Sequence, residues 1–352
     1  MVVNLIDLCL GKHQYGIRKP ITEHTNSTLP VVRITDIDQY GILNSTFKEA
    51  ECEDKGKYLL HPNDLLIART GETVGKSYLY DLADGERIFG SFLIRYRINP
   101  ERIDPAYLRY YTLSDRYYSW IDARSSRGTA KKGLSPFILD SIPVPLFDKE
   151  KQREVVSLLN PSLELIKTKR KIIGKSQDIA DKMFLFLFDD KVKNDKLRSV
   201  YQIHTGAKIE KAESGPFPVY TSSGKYARTY RNNYEEGCVL VPRKGSLQNL
   251  FLAYEKGWAS EGLYKIQLEN LVEAEYLYMQ LRFVDRKRMD TATGTPTLNR
   301  NALDNIPIHK PSEYDLILFE KTISPWLRRK QHEKQQLEVL ERMMLHQINL
   351  IW

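Results

Sequence analysis

The stretch Thr70–Ser77 (TGETVGKS) gathers the glycines, lysine and hydroxyl from which a phosphate-cradling loop is built. Such a loop needs four residues between its glycines and a helix behind it, so that backbone N–H groups and the helix dipole converge on the phosphates. Here only three residues separate Gly71 from Gly75, and the following YLYDLADG has no helical pattern. The segment reads instead as a loop between two strands, whose glycines let the backbone approach a ligand closely. Other catalytic signatures are missing as well. No G-x-G-x-x-G follows a strand pattern, which leaves a dinucleotide or S-adenosylmethionine fold without support. No Pro-Pro dipeptide occurs, and with it goes the Asn-Pro-Pro-aromatic motif of amino-methyltransferases. His13, His24, His61, His204, His309, His332 and His346 are isolated, with no H-E-x-x-H spacing, and read as packing or surface residues rather than metal ligands. Cys9, Cys52 and Cys238 lie too far apart for a thiolate zinc site and cannot form a disulfide framework. The residues supply no catalyst, no metal site and no cofactor site.

What the chain does supply is positive charge on loops. Lys and Arg number 53 against 45 Asp and Glu, a net charge of +8 with a pI of about 9.1. The excess is local: residues 191–311 hold 19 basic and 13 acidic side chains. Such a field favours a polyanionic partner. In RSSRGTAKK, Arg124, Arg127, Lys131 and Lys132 surround serines and a glycine, a composition suited to neutralising phosphates. Arg69 and the pair Arg243 and Lys244 stand at matching strand ends beside Gly71 and Gly245, where an arginine can pair with a guanine edge. Tyr220, Ser222, Ser223, Lys225 and Arg228 form a polar, basic loop (YTSSGK and after), and Arg300 closes TGTPTLNR beside the basic run Arg286–Arg288. Arg33 at the end of PVVRI, Lys76 in TGETVGKS and Lys208 in TGAKIEK complete the candidates. Any one of them is as readily a solvated surface charge; as a set they point to double-stranded DNA.

The elements that must position these residues occur twice. LSPFILDSIPVP (134–145) and LNRNALDNIPIH (298–309) share Leu134, Leu139, Asp140, Ile142 and Pro143 with Leu298, Leu303, Asp304, Ile306 and Pro307, at a constant spacing of 164. Upstream, Tyr107-Leu108 matches Tyr276-Leu277, and DLLIARTG (64–71) matches CVLVPRKG (238–245). Short β-branched or aromatic runs make the front of each copy: PVVRI, LLIA and FLIRYRI in the first, then Pro218–Tyr220, Val239–Val241, Leu250–Tyr254 and Leu263–Leu268. One helix is expected near Ala106–Trp120 and its counterpart near Glu273–Val284. The back of each copy is a long amphipathic helix. Ile166, Ile172, Ile173, Ile179, Met183 and Phe186 recur at helical steps in one, and Leu316, Phe319, Ile323, Leu327, Leu337, Leu340, Met344, Ile348 and Ile351 in the other.

A mixed α/β head, then IPVP and an acidic, Gln-bearing helix start (IPVPLFDKEKQREVV, 142–156), then a long helix, all of it repeated, resembles the specificity subunit of type I restriction–modification systems. TGAKIEKAESGPFPVYTSS (205–223) and Trp258-Ala259 resemble that family's recognition domains. The second copy departs from the pattern at His309, which stands where the second proline is expected, and SEYDLIL (312–318) lacks the usual glutamine. The resemblance implies an α+β chain of four parts: target-recognition domains at 1–147 and 191–311, and spacer helices at 148–190 and 312–352 that pair as an antiparallel coiled coil about a pseudo-twofold axis. It also implies that each domain reads half of a split DNA site, that two methyltransferase subunits and a restriction motor subunit dock, and that the chain itself is not an enzyme. The alternative from the residues alone is a protein-interaction scaffold with a coiled-coil rod. The longest apolar run, Met183–Phe188, is too short to span a bilayer, and Met1–Leu10 has no basic n-region, so a soluble, cytoplasmic protein is expected.

Overall fold

The run Asp64–Ala68 (DLLIA) is buried along its whole length and forms a central strand, as a mostly apolar stretch does when both faces of a sheet are covered. The computed structural model describes residues 1–18, 28–44, 47–52, 54–125, 133–209, 214–290 and 294–352. They divide into two units: Met1–Lys169 with Gln336–Trp352, and Arg170–Gln335.

In the first unit a four-stranded antiparallel sheet runs in the order Gln14–Tyr15, Leu93–Arg97, Asp64–Ala68, Ser77–Leu79. A three-stranded sheet runs Lys48–Glu51, Thr28–Val32, Ile88–Phe89, its last pair parallel. Val2–Asn4 pairs with Pro143–Pro145. The single helix expected near 106–120 is two, Pro105–Tyr111 and Asp115–Arg124. The break has a local cause: Ser114 accepts a hydrogen bond from the Tyr117 N–H at 3.2 Å and caps a new start, while Asp104 followed by Pro105 caps the first helix.

The second unit repeats this order. Its sheets run Ile203–Thr205, Leu263–Gln267, Cys238–Pro242, Phe251–Ala253, and Gly224–Thr229, Phe217–Thr221, Trp258–Ala259, again with a parallel last pair. Asp195–Lys196 pairs with Pro307–Ile308. Helix Leu271–Arg282, capped by Asn270, takes the place of Pro105–Tyr111. Corresponding backbone bonds recur: Leu5 N–H donates to Ile142 O at 2.9 Å, and Leu197 N–H to Ile306 O at 2.9 Å.

The helix Lys149–Phe188 contributes its first half to the first unit and its second half to the second. The expected second long helix is two pieces, Glu313–Thr322 and Ser324–Ile351, the latter with Pro325 in its first turn where its missing N–H costs nothing. In the first unit Val155, Leu159, Leu163 and Ile166 share the core of the sheets with Met344 and Ile348. The pairing there is antiparallel. Lys169 donates to Gln336 Oε1 at 2.5 Å, while Val155 and Leu158 share a groove with Leu350 and Ile351. In the second unit the seam is Ala180, Phe184 and Phe188 with Phe319, Ile323 and Leu327. Phe186, expected in that seam, is 87% exposed. Every residue of MFLFLF (183–188) is apolar, so the pattern alone cannot choose which of them turn inward.

His309 in the proline position has a structural reason. Its backbone N–H donates to Gln280 Oε1 at 2.7 Å, a bond that proline cannot make, and its carbonyl accepts from Gln280 Nε2 at 2.9 Å. Downstream, Ser312 and Asp315 form a capping box at the start of Glu313–Thr322.

Candidate nucleic-acid interface

The strand Asp64–Ala68 ends in Arg69, and Cys238–Pro242 ends in Arg243. The main chain holds both ends in the same way. Arg69 N–H donates to Phe92 O at 3.1 Å and its carbonyl accepts from Leu134 N–H at 2.8 Å; Arg243 N–H donates to Gly262 O at 2.9 Å and its carbonyl accepts from Leu298 N–H at 2.9 Å. Thr70 then bridges to Gly133, and Lys244 to Thr297. Two residues past each arginine the chain turns through a left-handed glycine, Gly71 at φ 77° and Gly245 at φ 80°. A Cβ on Gly71 would meet nothing within 4 Å. Gly71 therefore serves the turn, and its backbone is open to an approaching ligand. Gly75 differs, for a Cβ there would come within 2.9 Å of the Ile121 side chain. It serves the close seating of the loop on helix Asp115–Arg124.

Around Arg69 the structure assembles a patch that the sequence reading did not connect. The guanidinium lies over the Tyr15 ring at 5.4 Å, and the His13 ring stands edge-on to Tyr15 at 6.2 Å and to Phe137 at 5.9 Å. Phe137 is 80% exposed. His13 Nδ1 lies 2.9 Å from Asp140 Oδ1, and Tyr96 Oη donates to the same oxygen at 3.0 Å. Burial, then the Asp140 charge, pushes the Tyr96 hydroxyl far above its ordinary value, so it stays a donor. His13 is thus a packing and orienting group, as its isolation in the sequence implies. The signal for this patch was Phe137 inside the repeated LSPFILD motif, an aromatic where the second copy has Asn301.

The other candidates fall into three groups. Some guanidinium groups are held by their own chain. Arg33 pairs with Asp36 at 2.5 Å, Arg300 with Asp304 at 2.6 Å, and Arg228 donates to Gly215 O at 2.9 Å and to Pro216 O. Lys76 donates to Ile37 O at 3.4 Å, and Lys225 lies 3.8 Å from Glu255. A second group is open to solvent: Lys208 and Lys244 are exposed, and exposed Arg124 rests on Trp120 at 4.3 Å. Ser222 and Tyr220 gather by the Gly245 turn. Asn249 donates to Ser222 O at 2.8 Å, a Cβ on Gly245 would lie 3.2 Å from Ser222 Oγ, and Tyr220 packs on Phe251 at 5.2 Å. Ser223 is exposed at the tip of the same hairpin, and Arg243 lies over the Tyr264 ring at 5.9 Å. The third group, Arg127, Lys131 and Lys132, lies outside the described residues.

The basic run beside Arg300 splits by burial. Lys287 and Arg288 are exposed, whereas Arg286 is 1% exposed and donates inward to Leu247 O at 2.8 Å and Gln248 O at 2.7 Å. Burial pulls its guanidinium down to about 10, so it remains charged at neutral pH. Among the described residues no cluster of His, Cys, Asp and Glu is arranged to hold a metal ion, and no helix is long and apolar enough to cross a membrane.

The architecture is that of a duplicated α/β chain in which each copy of the head packs on a pair of long helices. This is the S-subunit fold. The S subunit of a type I restriction–modification system from M. genitalium superposes with a TM-score of 0.59 over 99% of this chain and 95% of that one, at 16% sequence identity. A structure concerned with the complex assembly and conformational transition of the type I restriction–modification system matches at TM-score 0.40 and 17% identity over 99% and 96% of the two chains. The HsdS subunit from Thermoanaerobacter tengcongensis matches at TM-score 0.39 and 15% identity over 99% and 95%. No protein-family model matches the chain. No curated protein matches it.

Proposed function

We propose that this chain is the specificity subunit of a type I restriction–modification system. It reads a bipartite site on double-stranded DNA and brings two methyltransferase subunits and a restriction motor subunit to it. The observation that carries this reading is the duplicated strand end: Arg69 and Arg243, in one backbone clamp, each followed by a turn through a left-handed glycine. Two copies of one reading element suit a split site, one half for the domain at 1–147 and the other for the domain at 191–311. The spacer helices at 148–190 and 312–352 join them. The exposed cations, Lys208, Lys244, Arg124, Lys287 and Arg288, would neutralise phosphates, while the half-buried Arg69 and Arg243 would reach base edges.

The chain lends no chemistry of its own, needs no cofactor and works in the cytoplasm. Methylation and cleavage belong to its partners. For docking them, each unit exposes apolar side chains on its helices. These include Leu158 (55%) and Leu350 (74%) around a groove of about 610 Å³ in the first, and Tyr314 (70%) and Phe186 (87%) in the second. Leu350 and Phe186 are equivalent positions of the repeat.

The test uses the purified full chain and a library of random duplexes. Selection should return two short conserved blocks separated by an unspecified gap. Affinity should fall with salt at a log–log slope near −0.9 for each phosphate neutralised. Binding that ignores salt, or a library that returns no sequence, would sink the DNA reading in favour of the scaffold. The same preparation, given Mg²⁺, ATP and S-adenosylmethionine, is expected to leave the DNA unmethylated and uncut.

A further inference from the structure

In the first unit the loop after Arg69 rests on helix Asp115–Arg124. Tyr117, which is fully buried, donates its hydroxyl to Gly75 O at 2.8 Å. One helical turn on, Ile121 fills the space a Cβ on Gly75 would take, at 2.9 Å. Gly75 N–H in turn donates to Ala68 O at 2.9 Å, and Ala68 N–H to Lys76 O at 2.8 Å, so the loop is closed on itself where the helix holds it. In the second unit the loop after Arg243 is tied from the equivalent place in the fold, just past helix Leu271–Arg282. The anchor is chemically different: the Arg286 guanidinium donates to two consecutive carbonyls, Leu247 and Gln248, at 2.8 and 2.7 Å, and also to Leu281 O. By the spacing of the repeat, Tyr117 and Arg286 are counterparts, 169 residues apart as Tyr107 and Tyr276 are. From the helical side, one loop is held by a neutral hydrogen bond and the other by a charged fork.

We infer that Tyr117 and Arg286 are positioning residues that set which bases each loop reads, without touching DNA themselves. This rests on the DNA-reading function proposed above. A buried donor aimed at a loop carbonyl fixes where the left-handed glycine and the arginine before it present their atoms. Bidentate base contacts tolerate little displacement, so a loop released from its anchor loses discrimination more than it loses phosphate affinity. Because the anchors are separate, each half-site is tuned independently.

The deciding variant is Tyr117→Phe, which removes one hydroxyl and keeps the ring; Arg286→Lys is its mirror in the second unit. Both are made in the full chain, and their base preferences are compared with the parent's by selection from random duplexes. Amide exchange at 71–76 and 245–249 and the thermal midpoint are followed alongside. Tyr117→Phe should relax the preference at one or more bases of one half-site by about fivefold, as expected for one lost hydrogen bond, with faster exchange at 71–76. The other half-site should stay within about twofold, the ordinary scatter for a site the change does not reach. Arg286→Lys should relax the opposite half-site. A purely structural role would lower binding to both half-sites together as the midpoint fell, with base preferences intact, and that result overturns the inference. So does a Tyr117→Phe chain whose preferences match the parent's while the parent selects a bipartite site. A parent that selects no sequence at all overturns the DNA reading, and this inference with it.

Discussion

Asp315 shows how far a single side chain can be read from sequence and where packing takes over. That it sits in the first turn of a helix capped by Ser312 is visible in the SEYD pattern, since a serine with an acid at the third position is a capping pair. That the carboxylate is buried is not visible. Burial by itself raises its pKa, yet the Ser312 N–H at 3.0 Å and hydroxyl at 2.8 Å, His309 Nε2 at 3.1 Å and Lys191 Nζ at 3.1 Å outweigh it and hold Asp315 well below the ordinary carboxylate range. A folded-state value below the unfolded one stabilises at neutral pH, and the contribution is lost as pH falls through the ordinary carboxylate value near 3.9 and below. Asp315→Asn should therefore lower stability by about 1–3 kcal/mol at pH 7. The gap from the parent should close as urea melts are repeated below about pH 4. The basic residues divide along the same line. Type and spacing mark Arg33, Arg228 and Arg300 as readily as Arg69. Arg33 and Arg300 meet carboxylates three and four residues on, a pairing that spacing offers, whereas the acceptors of Arg228 are carbonyls of Gly215 and Pro216, whose placement depends on hairpin register.

At the scale of elements, the repeat made the strands legible. Cys238–Pro242 and Leu263–Gln267 fall within two residues of their expected limits. Long helices were legible too, but their inner faces were not wherever the apolar run exceeded one face. Leu163 is 1% exposed in the seam of the first unit, and Leu158 is 55% exposed on the same helix. Leu163→Ala should cost about 2–5 kcal/mol, because it leaves a cavity in a packed core. Leu158→Ala should change stability by less than about 0.5 kcal/mol, while weakening capture of a methyltransferase subunit in pull-down with the folded chain. Equal effects from the two substitutions would contradict the assignment of one face to the core and the other to a partner.

For the molecule as a whole, duplication is the organising fact, and it was legible because IPVP and IPIH sit at the same place in two otherwise divergent halves. The proposed division of labour predicts that replacing residues 1–147 with the corresponding segment of a relative changes one half of the selected DNA motif and leaves the other intact. Sequencing of the duplexes selected by the hybrid shows which half moved.

Residues 336–352 belong to the first unit, although the whole of the second precedes them in the chain. During translation the first head must therefore wait. Its core lacks Met344 and Ile348 while some 166 residues, Arg170–Gln335, are made. Throughout that interval Leu159, Leu163 and Ile166 offer an uncovered strip of the sort chaperones hold and aggregates recruit. A premature stop after Gln335 would spare the later-made head and cripple the earlier one, so under the proposed reading damage at the tail of the message would surface as loss of the half-site assigned to its beginning.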